Sequence, residues 1–209
     1  MRKTMMKTRG RATLAATAAL LLVSGVLWVT PAQAQSYSGQ AYGALVNVGA
    51  GPVYIASTGA LPSTGGWLGA AQMGAQVPGV LSAETLVAAT SGALTSMSGD
   101  QVHSSTSLAG VTVLPGSPAQ ITASFVRAQA DATDFGAGGY SEVGGLVFGG
   151  IPVTVTGAPN QTVTIPSIAT LVINEQPATA QGILVNALHL ILASGDEVIV
   201  SSASTSVNR

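Results

Sequence analysis

Four polar residues in the C-terminal half have side chains that could form a binding cluster. Asn174 and Glu175 follow one apolar segment, and Asn186 and His189 interrupt the next one. If the two segments are neighbouring strands, their amide, carboxylate and imidazole groups converge, and such a group can bind a cation or a sugar hydroxyl. The sequence favours a hydrogen-bonded structural role for His189. The cluster of Asn174, Glu175, Asn186 and His189 is retained as the candidate site.

The second histidine raises the question of hydrolysis. His103 precedes four hydroxyl residues, 104–107, but the G-x-S-x-G pattern that presents a nucleophilic serine is absent. Nothing selects one serine among many as the partner of a histidine and a carboxylate. We therefore do not predict an enzyme, and we keep a secreted hydrolase only as a remote alternative.

Three carboxylates surround a glycine-rich stretch at residues 136–139. They belong to Asp131, Asp134 and Glu142. Calcium takes six to eight oxygen ligands, and this spacing matches no standard calcium loop. The pattern favours a solvated acidic turn, and we predict no cofactor.

Aromatic side chains offer a further route to carbohydrate binding, because an exposed ring can contact a glycan. The candidates are Tyr37, Tyr42, Tyr54 and Trp67. The sequence favours packing in the core and loops for these residues. A carbohydrate- or calcium-binding module is accordingly the alternative function.

The segments that must position these side chains follow an export signal. Five of the seven basic residues lie in the first eleven positions, and an apolar run covers residues 12–29. Ala32 and Ala34 then form a small-residue cleavage site, which completes the pattern of a secretory signal peptide. We predict a signal-peptide helix within residues 1–34 and a single β-rich extracellular domain over residues 35–209.

Cleavage would change the charge balance of the chain. It leaves two basic residues, Arg127 and Arg209, against eight acidic ones, which is a net charge of −6. Two cations cannot supply the basic face that nucleic acid or an anionic membrane requires, so neither is an expected partner. The absence of cysteine excludes disulfides, thiolate metal sites and a cysteine nucleophile.

Alternating β-branched residues and frequent turn residues predict an all-β fold. The strands are predicted at 40–48, 52–57, 80–90, 101–114, 119–131, 140–149, 151–156, 160–166, 168–174, 183–192 and 196–206. Residues 68–76 are the best helical candidate, although two glycines interrupt them. The simplest arrangement is a two-sheet β-sandwich of about ten strands.

Residues 185–192 predict a central strand next to residues 171–173, because both faces of this segment are largely apolar. Strict alternation places His189 on one face with Val185 and Ala187. It places Asn186 on the opposite face with Leu188.

A faint internal repeat leaves a second architecture open. Residues 81–88 resemble 121–128 at an offset of forty, and 108–113 resemble 143–148 at an offset of thirty-five. A duplicated strand pair in a sandwich and two coils of a short β-solenoid both explain such a repeat. The drifting offset favours the sandwich.

Several β-rich strings resemble a family of bacterial exported proteins called choice-of-anchor P. They are SGQAYG (38–43), residues 121–130, PNQTVTIP (159–166), LVINEQ (171–176), VNALHL (185–190) and DEVIV (196–200). The resemblance implies an exported domain without enzymatic activity, whose members carry differing C-terminal attachment signals. No such signal precedes Arg209, so we expect a secreted protein that is at most loosely associated with the cell surface.

These observations together predict a non-enzymatic β-domain of the bacterial cell envelope or extracellular matrix. Its role would be structural, adhesive or coating. Envelope glycans and self-association are the partners considered. No membrane association is expected after signal cleavage.

Overall fold

The computed structural model describes residues 36–49, 51–93, 99–177 and 182–208. The described strands belong to one compact unit that spans Gln33–Arg209. The predicted signal peptide and its cleavage site at Ala32 and Ala34 lie outside the described residues. Within the described ranges, no helix has the length and apolar character needed to cross a membrane.

Thirteen strands account for most of the described residues. They are β1 (Ser36–Asn47), β2 (Pro52–Ser57), β3 (Gly66–Val77), β4 (Leu81–Ala93), β5 (Gln101–Val113), β6 (Ile121–Thr133), β7 (Gly136–Gly144), β8 (Val147–Phe148), β9 (Ile151–Pro152), β10 (Gln161–Ile165), β11 (Ala169–Glu175), β12 (Gly182–Leu192) and β13 (Glu197–Asn208).

The strands form two antiparallel sheets. Sheet A has the order β10-β11-β12-β13-β1-β2, and sheet B has the order β3-β4-β5-β6-β8-β9, with β7 also paired to β6. One core cluster combines buried side chains from both sheets, so the prediction of a β-sandwich is confirmed. The strand pairs are antiparallel throughout, whereas the coils of a β-solenoid stack parallel strands. The solenoid alternative is therefore wrong.

Large aliphatic side chains from both sheets fill the space between them. Those with almost no exposed surface include Leu81, Leu86, Leu108, Leu171, Leu188 and Leu190. Burying one such side chain is worth about 1.5–3 kcal/mol, and without disulfides this packing is a main source of stability. One end of the interior is polar: Ser104 Oγ lies 2.7 Å from Thr90 Oγ1 and donates to the carbonyl of Ser204 across the sandwich.

The structure corrects several predicted strand boundaries. The segment chosen as the best helical candidate, 68–76, is part of edge strand β3, and the predicted strand at 140–149 divides into β7 and β8. Only the first two residues of the predicted strand 151–156 are paired, in β9. An edge strand with one exposed face needs no continuous apolar pattern, which explains why the sequence did not reveal β3.

In each sheet, one row of residues interrupts the regular alternation of side chains between the two faces. Each strand that crosses the row has core-facing residues of one parity before it and of the other parity after it. Kink row A crosses sheet A and kink row B crosses sheet B. Kink row A consists of Asn174, Ala187, Ser201, Gly43 and Ala56, and kink row B consists of Gly74, Glu84, Gly110, Ser124 and Gly145. The strand register is the same on both sides of each row, so no residue is inserted.

In each kink row, every second strand has a left-handed backbone conformation at its kink residue. The φ angles in sheet B are 62° at Gly74, 60° at Gly110 and 62° at Gly145. In sheet A they are 52° at Asn174, 64° at Ser201 and 50° at Ala56. A strand that passes such a position turns its next side chain to the opposite face.

The faint sequence repeat corresponds to two successive hairpins that cross kink row B, one formed by β4 and β5 and the next beginning with β6. Residues 81–88 lie in β4 and 121–128 in β6, and their buried and exposed positions follow the same pattern. The offset of forty aligns Glu84 with Ser124, and the offset of thirty-five aligns Gly110 with Gly145. The repeat therefore preserves the two kink residues of each hairpin, at which the alternation of side chains changes.

Candidate functional site

The outer face of sheet A carries a histidine held between two glutamates. His189 Nδ1 on β12 lies 2.9 Å from Glu175 Oε2 on β11, and His189 Nε2 lies 3.1 Å from Glu197 Oε2 on β13. The amide nitrogen of Asn186 donates to the same Glu175 oxygen at 2.7 Å. Both ring nitrogens donate only when the imidazole is protonated, so this arrangement fits a charged His189.

This cluster contains three of the four predicted site residues and one that the sequence did not indicate. Asn174 is at the kink, and its side chain donates to the carbonyl of Gly157 at 3.0 Å and accepts from Gln176 at 2.9 Å. Glu197 replaces it as the fourth member. The pairing of Glu197 with β12 depends on sheet register, for which no sequence signal was available.

The predicted faces of β12 were wrong for a physical reason. Strict alternation separates Asn186 from His189, yet both side chains reach the same oxygen of Glu175 on the outer face. The kink at Ala187 shifts the alternation by one residue between them. The predicted central position of β12, beside β11, is confirmed.

The charges of the cluster stabilise one another. Burial is the largest single influence on His189 and lowers its pKa, but the hydrogen bonds and charges of Glu175 and Glu197 together raise the pKa above 6.5. For Glu175, the hydrogen bond from His189 is the largest influence and brings the pKa below 4.5, against the opposing effect of burial. The cluster thus links β11, β12 and β13 by charge-assisted hydrogen bonds.

These opposite shifts predict a stability contribution that is largest between pH 4.5 and pH 6.5. The raised pKa of His189 gives a contribution that is complete below pH 6.5 and is lost as the pH rises through the raised value. The lowered pKa of Glu175 gives one that is complete above pH 4.5 and is lost as the pH falls through the lowered value. The measurement is the difference in unfolding free energy between wild type and His189→Gln, from urea unfolding at about pH 3 to 9. A difference that does not vary with pH would contradict this assignment.

The cluster has little capacity to bind a ligand. Both imidazole nitrogens are occupied, and the His189 side chain is only 12% exposed. Among the described residues, no group of three or more histidine, aspartate and glutamate side chains is arranged to hold a metal ion. The geometry supports the structural role favoured for His189, and more accessible polar side chains lie on the outer face of the other sheet.

Two hollows follow the central strands on the outer face of sheet B, one lined by Trp67 and His103 and the other by Arg127, and because their linings adjoin along β4 and β5 we treat them as one open groove. We define its floor as the small side chains of Ala89 and Ser91 on β4 and of Ser105 and Ser107 on β5. Trp67 on edge strand β3 stands on one side. Larger polar side chains of β6 and β7 stand on the other. We call this feature the sheet B groove.

A continuous series of hydrogen bonds forms the polar side of the sheet B groove. Arg127 donates to Gln129 at 2.8 Å, Gln129 donates to Asp131 at 2.9 Å, and Asp131 lies 2.6 Å from His103 Nδ1. Tyr140 donates to Gln129 at 3.0 Å, and the Arg127 guanidinium lies 5.7 Å from the centre of the Tyr140 ring. These groups are held in place while remaining accessible, since His103 and Asp131 are each nearly half exposed.

Trp67 stands at the end of the sheet B groove nearest His103. The six-membered ring of its indole covers Gly69, where a Cβ atom would lie within 2.4 Å of the ring. The residue is nevertheless 70% exposed. Gly69 therefore seats the indole on β3 while most of its surface faces solvent. Of the other aromatic candidates, Tyr37 is buried and Tyr54 is half exposed on sheet A.

His103, Asp131 and Ser91 lie side by side across sheet B but do not form a catalytic triad. Ser91 is directly opposite His103, and His103 is opposite Asp131. No hydrogen bond joins the Ser91 hydroxyl to His103 within the described chain. The surrounding backbone N–H groups belong to regular strand pairs, so the geometry provides no oxyanion hole.

The three carboxylates considered for calcium have separate partners. Asp131 contacts His103 and Gln129, Glu142 lies 3.7 Å from Arg127, and Asp134 accepts a hydrogen bond from the Asp100 backbone at 3.0 Å. They do not converge on one point.

Comparisons of the chain with protein-family models, curated proteins and solved structures found no match. The functional argument therefore depends on the geometry of the described residues.

Proposed function

We propose that this protein is an exported, non-enzymatic binding domain that holds a glycan chain in the sheet B groove. The observation that carries the proposal is the exposed indole of Trp67 at one end of the polar series from His103 to Arg127. An aromatic ring can stack on the apolar face of a sugar, while fixed polar groups bind its hydroxyls.

The chemistry of the polar side suits hydroxyl recognition. It offers the Asp131 carboxylate, the Gln129 amide and the Arg127 guanidinium, which provide both acceptors and several donors. Because these side chains are already linked to one another, little rotational freedom is lost when a ligand binds. The floor of small residues leaves room for a chain to lie along the strands.

The open shape of the groove favours a polymer over a small molecule. From Gln101 to Ser107, the part of β5 that lines the groove, the strand extends about 20 Å at the usual rise per residue, which accommodates several sugar rings. The predicted export signal and the resemblance to the choice-of-anchor P family support a place in the cell envelope or extracellular matrix. In this proposal the domain contributes adhesion through envelope glycans.

Replacing Trp67 with alanine is expected to lower the affinity for the bound glycan at least about tenfold. The substitution removes the stacking surface, and covering about 60 Å² of apolar surface is worth about 1.5 kcal/mol, which corresponds to about tenfold in affinity. Because the side chain is exposed, the free energy of unfolding should change by less than about 0.5 kcal/mol. Calorimetric titration with cello-oligosaccharides, chito-oligosaccharides and solubilised peptidoglycan strands measures the affinity.

Phe135→Ala is the matched control for this experiment. Phe135 is 87% exposed but lies in the turn between β6 and β7, outside the sheet B groove. Its substitution should leave the affinity unchanged. If wild type binds none of the three glycans, or if both variants bind as wild type does, the proposal is wrong.

A further inference from the structure

The edge strands of the two sheets differ sharply in their protection against pairing with another chain. Sheet A ends in β10, which has five residues, and in β2, which begins with Pro52. At one end of sheet B, β9 has two residues, one of them Pro152, and β7 carries the charged Glu142. Short length, proline and charge are the usual means of blocking an edge.

Strand β3 at the other end of sheet B has none of these features. It has twelve residues without a charged side chain or proline. It pairs with β4 and, within the described ranges, with no other strand. Alternate backbone N–H and C=O groups of β3 therefore face away from the sheet, ready to pair with a further strand.

We propose that two copies of this chain associate through antiparallel pairing of their β3 strands, so that sheet B continues from one copy into the other. The proposal goes beyond glycan binding and does not depend on it. Antiparallel pairing of identical edges about a twofold axis is self-complementary, and it closes at two copies. No like charges meet, because β3 carries none.

The alternation of side chains restricts the register of this pairing. Directly opposed residues must lie on the same face, so one residue must be opposite its own copy, and the twofold axis lies midway between these two residues. The outward positions before the kink at Gly74 include Trp67 and Met73, whereas Ala70 faces inward opposite the buried Ala88.

We propose the register in which the two copies of Ala70 are opposite each other, because it pairs the large exposed side chains of β3. It opposes Trp67 of one copy with Met73 of the second copy, twice. These residues are 70% and 84% exposed, among the most exposed large apolar side chains in the described chain. Sulfur and aromatic groups contact favourably, so Met73 of one copy would contact the ring edge of Trp67 in the other. The outer face of the indole would remain open for a ligand.

The first test compares a charge placed on the edge with the same charge placed one strand inward. Wild type is expected to be a dimer by sedimentation equilibrium, and Ala71→Lys is expected to raise its dissociation constant at least tenfold. Val87→Lys is the control, since Val87 is directly opposite Ala71 on the same outer face but belongs to β4. Circular dichroism confirms that both variants fold.

The second test measures the register. The chain has no cysteine, so a single introduced cysteine carries one spin label per copy. Labels at Ala71, Met73 and Gln76 should show distances between copies that increase by about 6.6 Å for each residue further from Ala70, twice the rise of a strand. A label at Thr164 on β10 should not follow this series.

Three outcomes would overturn the proposal. They are a wild-type protein that remains monomeric at millimolar concentration, a dimer that Ala71→Lys and Val87→Lys weaken equally, and label distances that do not increase away from Ala70. The glycan affinity of Ala71→Lys is measured in a separate titration. If the variant is monomeric and still binds glycan, dimerisation is not required for glycan binding.

Discussion

Replacing His189 with leucine is expected to lower the free energy of unfolding by about 2–4 kcal/mol at pH 6. The substitution leaves Glu175 and Glu197 side by side without their shared cation, and the removal of one partner from a buried ion pair typically costs 3–5 kcal/mol. The lower value applies here because the glutamate side chains are 23% and 34% exposed, so water compensates in part. Urea unfolding followed by circular dichroism measures the loss.

His103→Leu is the matched control for this prediction. His103 also contacts a carboxylate, Asp131 Oδ1 at 2.6 Å, but both side chains are nearly half exposed. Exposed pairs contribute at most about 1 kcal/mol, so the control should lose no more than that. In addition, Glu175→Gln combined with Glu197→Gln should recover part of the stability lost in His189→Leu. Equal losses for the two histidine variants would contradict the proposed role of His189.

The second large effect is expected at kink row B. Gly110→Val should destabilise the protein by about 2–3 kcal/mol, because φ at this position is 60° and a β-branched residue is strongly disfavoured there. A Cβ atom would also lie 2.5 Å from the Glu84 side chain, which must then move. Thermal and urea unfolding measure the change.

Two further substitutions test whether the left-handed backbone is the cause. Ala109→Val places the same side chain one residue earlier on the same strand, where φ is not positive. This substitution should change the free energy of unfolding by less than about 0.5 kcal/mol. Ala56→Gly in kink row A relieves an alanine at a φ of 50° and should leave stability unchanged or raise it by up to about 1 kcal/mol. A Gly110→Val variant as stable as wild type would show that the kink tolerates side chains.

The charged side chains on the two outer faces of the sandwich differ in how accessible they are to a ligand. On sheet A, one histidine lies between two glutamates, which leave a net charge of −1 and little free surface on the imidazole. On sheet B, Arg127, Gln129 and Asp131 form a similar series but remain accessible beside an open floor. This difference is the reason that we propose binding at the sheet B groove and a structural role for the sequence-based candidate cluster.

Part of the second site was visible in the sequence. The sequence offers Trp67 as a possible glycan contact while favouring its packing, and it assigns His103 and Asp131 to separate candidate groups. Their approach depends on the pairing of β5 with β6, in which residues 28 positions apart become neighbours. Composition and spacing carry no information about this register.

Kink row B left a weak trace in the sequence, and kink row A left none. The repeat aligned Gly110 with Gly145, and glycine is the residue expected at a positive φ. In sheet A the same backbone occurs at Asn174, Ser201 and Ala56, residue types common in ordinary strands and turns. Serine and alanine rarely adopt a positive φ, and asparagine does so more often, so residue type alone does not mark this row.

The sequence by itself determined the all-β class and most strand positions, because period-two alternation and turn residues are local properties of the chain. It also determined that no disulfide contributes to stability. Only the tertiary structure decided which side chains meet. Since side chains alternate with a period of two, a shift of one residue at a kink moves every later side chain to the other face. That shift brings Asn186 and His189 to the same glutamate, and the contact also requires β11 to pair with β12, which no single segment encodes.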